Sequence, residues 1–263
     1  MRKPETQNSI LDCREVMVRF GGVVALNKVN FSVPAKSITS IIGPNGAGKT
    51  TLINAITGFV SCSGGSIYFN GQDISAMRSH ERGRAGVVRT FQNLEIFSNM
   101  TVLENVMSGR HRLVNYSFFD CLLKTPRYWA EEKKCRQKAE ELLDFVGLPD
   151  KWDVLASELP FGSQRLLELA RALASEPHLL LLDEPAAGLN IRETRSLAQL
   201  IQKIRDQLGI TVALVEHDMD LVMSISDQVT VLSFGQVLAT GTPLEVQKNP
   251  EVIAAYLGEG EEG

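Results

Sequence analysis

Ile38-Thr39-Ser40-Ile41-Ile42-Gly43-Pro44-Asn45-Gly46-Ala47-Gly48-Lys49-Thr50-Thr51 is the stretch on which the reading of this chain turns. Its first five residues are a short apolar run of strand character, and Gly43 to Thr50 fit the spacing GxxxxGK(S/T). Residues 51–57 continue as a helix that stops at Gly58. A strand, a glycine-rich loop and a helix in that order build a phosphate cradle. The glycines let the backbone bend tightly and turn its N–H groups inward, and the helix N-terminus adds positive potential. Lys49 is then placed to neutralise the β- and γ-phosphates, and the Thr50 hydroxyl to meet Mg²⁺. Gly43, Pro44, Asn45, Gly46, Ala47, Gly48, Lys49, Thr50 and Thr51 form the candidate cradle for ATP or GTP.

Further along, His178-Leu179-Leu180-Leu181-Leu182-Asp183-Glu184 reads as a buried strand delivering two adjacent acids at its end. Asp183 fits the organiser of Mg²⁺, usually through a bound water. Glu184 fits the residue that orients or deprotonates the attacking water. An acid pair after leucines is common at strand ends, so the phosphate loop is what gives this one meaning. His217, in Leu214-Val215-Glu216-His217-Asp218, follows another apolar run and could reach the γ-phosphate side. Gln92 comes just after the run 87–90 and could touch both Mg²⁺ and the water. A histidine or glutamine alone is more often an ordinary satisfied polar residue.

The apolar runs 38–42, 179–182, 211–215 and 228–232 are short, nearly continuous and mostly separated by helical stretches. That is the signature of a parallel α/β sheet buried on both faces. Residues 11–20, 29–33 and 66–69 are β-rich, bounded by Gly, Asn or Pro, and read as an antiparallel sheet. The middle is different. Thr101 opens a capping box closed by Glu104, Thr125-Pro126 is an N-cap with proline at the first helical position, and Gly147 stops the helix after Leu142, Leu143 and Val146. Residues 100–158 are therefore expected to be an all-helical insert in a single domain spanning 1–263, with the α/β core at 9–99 and 159–258. The Gly/Glu tail at 259–263 is expected to fray.

With 263 residues, 44% hydrophobic and 22% charged, the composition is that of a globular protein with a sizeable core. Its longest purely aliphatic run, 179–182, falls far short of the ~20 apolar residues that cross a bilayer. The polar start lacks the apolar stretch of a secretory signal, so a cytoplasmic location is expected, with any membrane role coming through a partner. Cys13, Cys62, Cys121 and Cys135 are scattered without metal-binding spacing and are read as reduced thiols. A net charge of −4 and a pI near 5.7 argue against a nucleic-acid partner.

Taken together, Walker A at 43–50, Gln92, the segment 159–163, Walker B at 179–184 and His217 resemble the ABC ATPases in order and spacing over essentially the whole chain. That resemblance implies a P-loop, RecA-like core of mostly parallel sheet with an antiparallel β subdomain and an inserted helical subdomain. It implies ATP and Mg²⁺ as ligands and a head-to-tail dimer with two ATPs in its interface. The glycine-rich signature caps the partner's ATP, which brings in Phe161, Gly162 and Ser163. Gly188-Leu189-Asn190 matches the loop that crosses the interface, and Phe20, before Gly21-Gly22, the aromatic that stacks on adenine; a core phenylalanine is the plain alternative. The usual LSGGQ is altered, with Pro160 in place of serine and Ser163 in place of glutamine, so one hydroxyl contact to the γ-phosphate is missing. Arg19-Phe20-Gly21-Gly22, Gly86 to Gln92, Asp183 to Asn190, Glu216 to Met219 and Ala255 to Gly258 resemble the LivG-type subunits of branched-chain amino-acid importers. This implies two transmembrane permease subunits, a homologous or identical ATPase partner and, indirectly, a substrate-binding protein, at the cytoplasmic side of the inner membrane. A lipopolysaccharide-export ATPase, transport of other neutral amino acids or urea, and a soluble ABC ATPase are the competing assignments.

Overall fold

The computed structural model describes residues 9–90, 94–115 and 117–257, the side chains of Phe118 and Leu257 excepted. The expected fraying of 259–263 lies outside these residues. Among them, the strands are β1 Ser9–Phe20, β2 Val23–Pro34, β3 Ile38–Ile42, β4 Gly64–Phe69, β5 Gln72–Asp73, β6 Val87–Arg89, β7 Leu179–Asp183, β8 Thr211–Val215, β9 Gln228–Ser233 and β10 Gln236–Gly241. The α-helices are α1 Lys49–Thr57, α2 Ser79–Ala85, α3 Val102–Gly109, α4 Phe118–Leu123, α5 Pro126–Val146, α6 Phe161–Ala174, α7 Ile191–Leu208, α8 Met219–Ile225, α9 Pro243–Gln247 and α10 Pro250–Leu257. They fall into two compact units, one taking in the residues up to Arg89 and from His178 onward, the other spanning Thr90–Pro177.

The first unit holds two sheets. Strands β1, β2, β4 and β5 form the expected antiparallel sheet in the order β2-β1-β4-β5. The second sheet runs β10-β9-β3-β8-β7-β6, parallel throughout except for β10 against β9. Every residue of β3, β7 and β8 is buried, which is why their sequences are mostly aliphatic and show no apolar/polar alternation. Ile41 pairs with Val215 and with Thr230, and Asp183 with Val215. The carboxyl ends of four parallel strands are thus level, and the loops after them share one edge. In open α/β sheets that edge is where ligands bind.

Several boundaries differ from the sequence reading: the helical unit, expected at 100–158, is Thr90–Pro177 and takes in α6, which the reading gave to the α/β core. Helix α1 begins at Lys49, two residues earlier than expected, because Gly48 takes the left-handed conformation (φ 99°) and turns the chain into the helix at once. Strand β10 has no counterpart in the reading: it is short and partly exposed, with three apolar residues between Gln236 and Thr240, and is carried by the hairpin with β9.

The second unit is helical, with α3, α5 and α6 packed on one another. Its caps are those read from the sequence. Thr101 accepts the Glu104 amide at 3.2 Å while the Glu104 carboxylate accepts the Thr101 amide at 2.8 Å. Thr125 caps α5 with Pro126 in its first turn, and Gly147 ends it at φ 86°. Residues 94–100 are held to this unit by Asn105, fully buried, which accepts the Phe97 amide and donates to the Phe97 carbonyl, both at 2.9 Å. Arg171 adds a hydrogen bond to the Glu95 carbonyl and lies over the Phe97 ring. No described helix is long and apolar enough to cross a membrane.

Candidate nucleotide site

At the carboxyl edge of the parallel sheet lies a cavity of about 440 Å³. Its lining comprises residues 45–51 of the glycine loop and α1, Val23 to Ala25 of β2, Glu184, His217, and the β9–β10 turn residues Phe234 and Gly235. Gly43, where the loop leaves β3, has φ 145°, and a Cβ there would collide with the Leu232 carbonyl oxygen. Glycine at 43 is therefore a steric requirement of packing the loop against β9. Helix α1 has no side-chain cap and no acid in its first turn, and its first residues, Lys49, Thr50 and Thr51, line the cavity at the positive end of the helix. Lys49 is buried, and its Nζ donates to the Gly43 carbonyl at 2.7 Å and the Pro44 carbonyl at 2.8 Å. A cation held against the glycine loop at a helix N-terminus is an arrangement suited to a polyphosphate.

The two acids that end β7 meet different surroundings. Asp183 is 3% exposed at its side chain and accepts from Arg89 Nη2 at 2.5 Å; Arg89 Nη1 in turn donates to Asn54 Oδ1 at 2.5 Å. The network ties β6, β7 and α1 together. Glu184 is a non-glycine residue at φ 48°, its amide donating to the Val215 carbonyl at 2.9 Å. This left-handed step turns its carboxylate out of the sheet toward the cavity. There Oε1 lies 3.2 Å from His217 Nε2.

What sets that pair is Glu216. Its buried carboxylate accepts the amides of Ala186 at 2.8 Å, His217 at 3.0 Å and Asp218 at 3.4 Å. Loops after β7 and β8 are clamped on one side chain. Burial pushes the Glu216 carboxyl above the usual carboxylate range, against the opposing pull of those amides.

Of the residues singled out in the sequence, Asn45 to Thr51, Glu184 and His217 line one cavity; Gly43 and Pro44 do not line it but accept from Lys49, and Asp183 ends β7 just before Glu184. Phe20, at the end of β1, is 52% exposed and so is no core residue, yet it does not line the cavity. Phe161, Gly162 and Ser163 are the first turn of α6 in the other unit, with Pro160 as an N-cap that offers no side-chain bond. Gln92 lies outside the described residues. Thr50 and Asp183 are hard oxygen donors of the kind Mg²⁺ takes. Arg89, Asn54, Glu216 and Phe234 were not assigned roles from the sequence. A polar residue closing an apolar strand, as Glu216 and Arg89 both do, was the available signal.

Residues 26–187 match the model of the ABC transporter family, and residues 236–262 that of the branched-chain amino acid ATP-binding cassette transporters. The high-affinity branched-chain amino acid transport ATP-binding protein BraF of Pseudomonas aeruginosa is 47% identical over 250 residues, 95% of this chain and 98% of the relative. LivG of Escherichia coli K12 is 44% identical over the same shares. Among solved structures, the ADP conformation of an ATP-binding cassette of an ABC transporter superposes with a TM-score of 0.83 at 34% identity, covering 95% of this chain and 99% of that one. A Walker cradle, an acid pair at the end of β7 and a histidine reaching the second acid, on a fold shared at that level, lead to one conclusion: the chain belongs to the ABC transporter family, as one of its ATP-binding cassettes.

Proposed function

We propose that this cassette hydrolyses ATP to drive import of branched-chain amino acids through partner permease subunits. The observation that carries hydrolysis is the Glu184–His217 contact of 3.2 Å at the mouth of the Lys49 cavity. In this reading Lys49 and the amides of α1 bind the phosphates, with Phe20 against the adenine. Thr50, Asp183 and Gln92 would hold Mg²⁺, which when bound would neutralise charge at the phosphates. Glu184 orients the attacking water and takes its proton, and His217 holds Glu184 in place.

Phe161, Gly162 and Ser163 cap the ATP of a second, homologous or identical subunit, so that two nucleotides lie in a head-to-tail interface. Closure follows because nucleotide contacts both faces only in the closed dimer. The segment 94–100 suits permease docking: Phe97 and Met100 are exposed apolar residues on a loop fixed from below by Asn105. The complex sits at the cytoplasmic face of the inner membrane, with a substrate-binding protein on the far side and no nucleic acid involved. The substrate class is supported by the relatives' names and by the match of residues 236–262.

Uptake of labelled leucine at low concentration, in cells lacking this chain and any other leucine importer, tests the proposal. Wild type is expected to restore uptake and Glu184→Gln to fail. Unchanged uptake on deletion refutes the substrate, and restoration by Glu184→Gln refutes the hydrolytic role.

A further inference from the structure

The turn between β9 and β10 holds a residue its own backbone does not favour. Ser233 pairs with Gln236, leaving a two-residue loop of Phe234 and Gly235. Their φ angles are 46° and 72°, the two successive left-handed residues of a type I′ hairpin turn, for which Asn-Gly is the preferred pair. A bulky aromatic at such a φ is an outlier. Packing does not compensate it, because Phe234 is 91% exposed. Residues held against local preference cluster at binding sites, and this one lines the nucleotide cavity.

Its backbone is fixed from both sides. The Gly235 amide donates to the Ala47 carbonyl of the phosphate loop at 3.0 Å, and the Gly235 carbonyl accepts the Asn27 amide of β2 at 2.8 Å. Val23 and Val24 on β2, also exposed, line the same cavity. The cavity is thus divided in chemistry: Lys49, Thr50 and the N-terminus of α1 at one part, and exposed apolar side chains from β2 and the turn at another. Phosphates account for the first. A heteroaromatic base accounts for the second, since a ring face packs on aliphatic and aromatic surface.

We infer that Phe234 is a nucleotide-binding residue, packing against the base of the bound nucleotide together with Val23 and Val24. The inference rests on the nucleotide reading of the cavity. It explains why phenylalanine stands where the turn prefers asparagine: fold stability and ligand affinity make opposite demands at this position.

The test is calorimetric titration of the full chain with two diphosphate probes, ADP and pyrophosphate, comparing wild type with Phe234→Ala and Phe234→Asn. Both variants are expected to weaken ADP binding about tenfold and to leave pyrophosphate binding unchanged, while Phe234→Asn melts at a higher temperature than wild type. ADP affinity equal to wild type in both variants overturns the inference. So does equal weakening of ADP and pyrophosphate, which would mean the substitution acts through the tether to Ala47. Failure of wild type to bind either probe would instead overturn the nucleotide reading itself.

Discussion

Arg89 and Asp183 lie 94 positions apart in sequence and 2.5 Å apart in space, with side chains 7% and 3% exposed. Removing one member of such a pair leaves a buried charge, which costs about 3–5 kcal/mol. Arg89→Met is therefore expected to lower thermal stability by that order, and Arg89→Met with Asp183→Asn to recover part of it, as thermal denaturation of both variants will show. Glu216 makes a prediction with a sign. Its carboxyl is raised by burial, so the folded state holds the proton more tightly than the unfolded chain. Its contribution is thus most favourable at low pH and falls as pH rises from the ordinary carboxylate range through the raised folded value. Glu216→Gln puts an amide donor against backbone donors and is expected to cost about 1–3 kcal/mol near neutrality. Denaturant titrations from pH 4 to 8 should show the gap between wild type and variant widening on acidification; a gap that narrows contradicts the buried-carboxylate account. Lys49, Asp183 and Glu184 were legible as residues because each sits at a fixed offset from a strand end. Arg89 and Glu216 act through partners on other strands and loops, and nothing in their local sequence names those partners.

Elements were legible where local chemistry fixes them. The capping pairs Thr101/Glu104 and Thr125/Pro126 and the stop at Gly147 appear in the structure at the residues read from the sequence. The buried strands β3, β7 and β8 announced themselves as short, nearly continuous apolar runs. Strand β10 did not, since its pairing comes from the hairpin and not from its own pattern. The loop between β3 and α1 makes the sharpest demand of any segment. Gly43→Ala meets the Leu232 carbonyl at a φ of 145°, and two such penalties on one residue amount to about 1–3 kcal/mol of strain at least. Loss of ADP binding with the helical content retained is the expected result, read by calorimetry beside circular dichroism. Normal ADP affinity in Gly43→Ala contradicts the role given to this packing.

At the scale of the molecule, the glycine loop, the acids ending β7 and the segment proposed to cap a second nucleotide belong to one chain, the last in the helical unit and the others in the sheet unit. The proposed pairing of two cassettes rests on family resemblance, since no residue spacing within one chain specifies it. The claim on which the rest depends is that Glu184, held beside His217, drives hydrolysis of ATP bound over Lys49. It is tested most directly by measuring ATP affinity and phosphate release together in purified wild type and Glu184→Gln. The expected result is ATP binding within about threefold of wild type and phosphate release lower by about 100-fold or more. A Glu184→Gln chain that binds ATP and releases phosphate at the wild-type rate would contradict it.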